Sequence, residues 1–125
     1  ISAGIMFYPD SGLLAISTET DNEYVEPLIQ EVYHEIDRLH QEPVSAEELT
    51  IVRNYMLGEM CRSYESPFSL SDAWIFIATS GLDDDYFSRS LLAVNEVTPM
   101  EIQDLAQRYL CKETLKEVIA GKKLS

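Results

Sequence analysis

What most limits the folds open to this chain is its punctuation between residues 17 and 65, which runs strand end, amphipathic helix, proline break, second helix. The segment reads STETDNEYVEPLIQEVYHEIDRLHQEPVSAEELTIVRNYMLGEMCRSYE. Asp21 or Asn22 can cap the first helix, Glu23 and Glu26 suit its positive end, and Val25, Leu28, Ile29, Val32, Ile36 and Leu39 recur at helical spacing. Pro27 falls near the first turn, where a missing N–H is tolerated. Pro43 ends the pattern. Ser45 and Glu48 then make a capping box for a helix with the apolar stripe Leu49, Val52, Met56 and Met60. A block built this way is a helical scaffold, and it contains no cluster of catalytic side chains.

The flanks extend the same reading. Residues 1–8 and 13–20 are rich in β-branched and aromatic side chains, and Pro9, Asp10, Ser11 and Gly12 between them have turn chemistry, which predicts a hairpin. Ser66-Pro67 opens a third helix that carries Leu70, Ala73, Trp74 and Ile77 and stops at Gly81. Asp83, Asp84 and Asp85 start a fourth through Phe87, Leu91 and Val94. Thr98, Pro99 and Glu101 supply N-cap, first-position proline and capping-box partner for a fifth. Residues 114–120 read as a closing strand before Gly121 and a basic Lys122-Lys123 tail.

The expected class is α+β, a sheet containing antiparallel strands packed by about five helices in two layers. Three strands are fewer than the about five or six of an average sheet. Residues 1–125 are therefore expected to form part of one domain whose upstream strands are missing, and the start at Ile1 without a Met agrees with an excised piece of a longer polypeptide. Such a sheet leaves an unpaired edge, a template for self-association.

Composition narrows the partners. With 46% hydrophobic residues, 125 residues suffice for one packed core. A formal net charge of -13 repels phosphate backbones and anionic lipid, so neither nucleic acid nor a membrane is an expected partner. The simplest reading of the acidic excess before Arg38 is a solvated face. Cys61 and Cys111 form no CxxC pair and read as ordinary thiols.

Candidate chemistry is sparse. His34, Glu35 and His40 in HEIDRLH invite comparison with HExxH, in which two histidines four residues apart share a helical face. A spacing of six instead turns the second histidine roughly 240° from the first, at about 100° per residue, so the pair cannot converge on one ion. Asp83 to Asp85 could collect a cation, but the spacing of a calcium loop is missing and helix capping explains them better. Trp74, Phe76, Tyr86 and Phe87 could form an aromatic ligand wall, yet Trp74 lies in a helical apolar stripe and reads as core. No catalytic, cofactor-binding or metal-binding residue is assigned.

Taken in order, the hairpin ending STETDN, the helix to IDRLHQEPVSAEEL, the helix YMLGEMCRSYES, the segment GLDDDYFSRSLLAVNEVTPMEIQDLAQRYL and the closing ETLKEVIAG resemble the C-terminal domain of pitrilysin/insulinase-type zinc peptidases. The resemblance covers nearly the whole chain and rests on order and spacing, with PVSAEEL and VTPMEIQDLAQRYL as its best markers. It implies paired α+β domains around a chamber, with zinc, HxxEH and a further glutamate in the N-terminal domain of the parent. It implies that this domain is non-catalytic, because neither histidine fits that motif. An Arg and a Tyr of an RxxxGLxY-like pattern, which the family places just before a segment like ISAGI, would lie upstream of Ile1. The implied role is a chamber wall and part of the substrate cleft of a zinc-dependent metalloendopeptidase, with the catalytic domain or subunit and a peptide substrate as partners. The alternative is a domain of a catalytically inactive relative that serves as a structural or partner subunit. A third reading, an independent acidic binding domain, predicts a complete sheet.

Overall fold

The computed structural model describes residues 1–8 and 10–121. The turn role read for Pro9 and the Lys122-Lys123 tail lie outside the described residues. In chain order the elements are β1 (Ser2–Tyr8), β2 (Ser11–Ser17), α1 (Val25–Gln41), α2 (Ala46–Arg62), α3 (Pro67–Ser80), α4 (Tyr86–Glu96) and α5 (Pro99–Tyr109), with 3₁₀ turns at Asn22–Tyr24 and Lys112–Thr114. The α+β class is met, with helix predominating. The chain divides into two compact units, Ile1–Pro43 with Gln103–Ser125, and Val44–Ile102.

In the first unit β1 and β2 pair antiparallel from Ser2↔Ser17 to Tyr8↔Ser11. All of β1 is exposed, whereas Leu14, Ala15 and Ile16 of β2 are half-buried. The expected side-chain cap from Asp21 or Asn22 does not form. A 3₁₀ turn leads into α1 instead, and the Asp21 carbonyl accepts from the Tyr24 N–H at 2.9 Å, so backbone takes up a donor that a cap would have satisfied. Ile36 is the buried side chain of α1.

The C-terminus of α1 is closed by α5. Gln103 and Gln107 donate their side-chain amides to the His40 carbonyl at 3.0 and 2.8 Å. His40 Nε2 in turn donates to the carbonyl of the buried Ala106 at 3.0 Å, an arrangement that requires the Nε2–H tautomer.

The closing strand expected at residues 114–120 is absent. A strand is sustained by its ladder, and among the described residues β1 and β2 pair only with each other. Side chains hold this segment to α1 instead. Lys112 pairs with Asp37 and lies 5.5 Å from the centre of the Tyr33 ring, while the Tyr33 hydroxyl donates to Glu117 at 2.8 Å.

In the second unit the helix signals are met almost one for one. Ser45 Oγ accepts from the Glu48 N–H at 3.1 Å, although the reciprocal carboxylate bond of the capping box does not form among the described residues. Ser66 Oγ accepts from the Ser69 N–H at 3.0 Å beside Pro67, and α3 ends on Gly81 at φ 66, the left-handed conformation that favours glycine. At the start of α5, Glu101 Oε2 accepts from the Thr98 N–H at 2.8 Å and Thr98 Oγ1 accepts from the Glu101 N–H at 3.3 Å, a complete capping box. Leu49 and Ile77 are buried, but of the stripe read along α2 Val52 and Met56 are exposed and Met60 is half-buried. Arg53 leaves α2 to donate to the carbonyls of Val94 and Val97, at 3.1 and 2.5 Å, at the C-terminal end of α4.

Candidate functional site

The histidines do not meet. His34 is exposed and His40 is engaged with Ala106. No group of three or more His, Cys, Asp or Glu side chains able to hold a metal occurs among the described residues. Both thiols are free, Cys61 exposed and Cys111 half-buried.

The Asp83 to Asp85 cluster does not cap α4 through a side chain, contrary to expectation. Its work is to hold Arg89. The guanidinium reaches Asp83 at 2.6 and 3.0 Å and Asp85 at 2.5 Å, one helical turn back. These hydrogen bonds favour the carboxylate, and Arg89 foremost, with Asp85 next, holds the Asp83 carboxyl down at about 2. The bidentate fork recruits the acids that the cap leaves idle.

A concavity in the second unit lies between α3, α4 and the turn after α2, with a volume of about 530 Å³. From α3 come Ser69, Asp72, Ala73 and Phe76, from α4 Tyr86 and Phe87, and from the turn Tyr64. The α3 residues fall at helical spacings of three and four, so they share one face. The rings pack edge to face, Tyr64 on Phe87 at 4.8 Å and 65°, Tyr86 on Phe87 at 5.9 Å and 66°. Burial first, and then the neighbouring Tyr86, push the Tyr64 phenol above its ordinary value.

The sequence reading weighed an aromatic ligand wall at this place and set it aside in favour of core. Phe76, Tyr86 and Phe87 do form an aromatic wall. Trp74, read as core, is 44% exposed, and it touches the cluster through Phe87 with ring centres 6.3 Å apart. Ile77, one turn further on, is the buried side chain of α3. Tyr64 and Asp72 were missed. The spacing from Ser69 to Phe76 could have shown Asp72, but nothing local to Tyr64 marks it.

Compared with known families, residues 1–56 match the model described as the peptidase M16 inactive domain. No curated protein and no solved structure matches the chain. The match takes in the hairpin, α1 and the first part of α2, and it agrees with the resemblance read from the sequence. The aromatic cleft lies outside the matched residues.

Proposed function

We propose that this chain, over residues 1–56 a partial, non-catalytic C-terminal domain of the peptidase M16 family, forms part of the wall and substrate cleft of a zinc-dependent endopeptidase. The observation that carries the proposal is the match to the inactive domain. The geometry supports it. His40, Gln103 and Gln107 close a helix end, Arg53 closes another, and Arg89 is held by two aspartates, so these polar side chains do internal, structural work. The residues described here do not fit a zinc site, and the metal of the assembly is assigned to a paired N-terminal catalytic domain or subunit.

The sheet belongs to the same proposal. β1 presents an exposed edge with Ile5 60% and Met6 44% accessible, and further strands of the parent domain would complete it. The test is reconstitution. The HxxEH-bearing domain of the parent, purified alone and with this chain, is assayed on an internally quenched peptide. Loss of a positioning wall is expected to lower cleavage on the order of 100-fold in its absence. Equal cleavage with and without this chain would refute the role, and a stable pair that cleaves nothing would identify a structural subunit instead.

A further inference from the structure

The cleft of the second unit has a composition that selects its ligand. Tyr64, Phe76, Tyr86 and Phe87 supply aromatic surface, and Asp72 supplies a carboxylate one turn from Phe76. Among the described residues Asp72 has neither an ion pair nor a hydrogen bond, whereas Asp37, Asp83 and Asp85 all hold cations of this chain. The Tyr64 and Tyr86 hydroxyls also make no hydrogen bond among the described residues. No Lys or Arg among the described residues lines the cleft, and the chain as a whole carries a net charge of -13.

Aromatic rings attract a cation electrostatically, and a carboxylate beside them adds a charge-assisted hydrogen bond. A guanidinium suits both at once. It is planar, so it stacks on rings, it donates in a fork to a carboxylate, and it is more weakly hydrated than an ammonium. We propose that the cleft between α3 and α4 binds the arginine side chain of a peptide, with Asp72 as its counter-charge and Tyr64, Phe76, Tyr86 and Phe87 as its aromatic walls. The assignment does not depend on the peptidase role. It holds equally for a chain that only captures peptides.

Trp74, the single tryptophan, touches the cleft through Phe87 and supplies the readout. The probe is the acetylated, amidated tripeptide Ala-Arg-Ala, titrated against Trp74 fluorescence. Its match is the same peptide with citrulline, which keeps the shape and loses the charge. The arginine peptide is expected to saturate and to bind roughly tenfold more tightly than the citrulline peptide, as the cation's contacts with rings and carboxylate require. Asp72→Asn is expected to cut that preference at least roughly threefold, leaving the part that the rings supply. Asp104→Asn, which removes an exposed carboxylate of α5, is expected to leave it unchanged. Equal binding of the two peptides, a preference undiminished in Asp72→Asn, or an equal loss in Asp104→Asn would each overturn the assignment, the last by reducing it to the overall charge.

Discussion

Replacing Arg53 by methionine tests how the second unit is held together. The guanidinium donates to the Val94 carbonyl at 3.1 Å and the Val97 carbonyl at 2.5 Å. These carbonyls sit where α4 runs out of backbone donors. A hydrogen bond from a charged group contributes about 1.5–3 kcal/mol. The side chain is only part-buried, so water will rehydrate some of what is lost, and methionine keeps most of the apolar stem. The net expectation is a loss of about 1–2 kcal/mol, which at a urea slope of about 2 kcal/mol/M lowers the midpoint by about 0.5–1 M. Trp74 fluorescence reports the transition from within the same unit. Arg62→Met is the control, because among the described residues the Arg62 side chain pairs only with Glu59 one turn away and both side chains are at least half exposed, at 58% and 50%. Its cost should stay below about 0.5 kcal/mol. Arg53→Lys should recover less than half of the loss, since a single ammonium cannot reproduce the fork. If Arg53→Met and Arg62→Met shift the midpoint equally, the long-range cap contributes nothing and the reasoning fails.

Thr98→Ala removes one half of a complete capping box and should cost ~1 kcal/mol in urea denaturation, while Ser88→Ala should change stability little; equal effects would contradict the observed start of α5. The Asp83 carboxyl, held at about 2 by Arg89 against an ordinary 3.8, is depressed in the folded state, so its contribution to stability is present above about 3.8 and is lost as pH falls toward 2. In Arg89→Met, carboxyl NMR titration should show Asp83 returned toward its ordinary value, and an unmoved titration would show that Arg89 is not the cause. The uncharged, exposed edge of β1 should make the isolated chain self-associate in light scattering, and Ile5→Lys should suppress this; a chain that stays monomeric at high concentration refutes the open-edge reading.

Much of the architecture was legible because its determinants are short in sequence. Ser45 with Glu48, Ser66 with Ser69, and Thr98 with Glu101 each join residues three apart, and Gly81 needs only its own backbone to end α3. Such contacts form whatever the rest of the chain does, so residue type and spacing determined them. The likeness to the inactive-domain family, matched over residues 1–56, was legible in the same way, through the order and spacing of elements. Tertiary structure decided the rest. Residues 114–120 have strand composition but no ladder to join among the described residues, and Tyr33 holds that segment through Glu117 while Asp37 holds Lys112 just before it. Arg53 closes a helix end more than forty residues away, and Gln103 and Gln107 find the His40 carbonyl across more than sixty. Asp72 and Phe76 shared a predictable helix face, but Tyr64, Tyr86 and Phe87 became a cleft only once α3 and α4 packed. A polar group seeks whichever partner the packing brings within about 3 Å, and over long sequence separations that partner is chosen by the fold, not by the neighbouring residues.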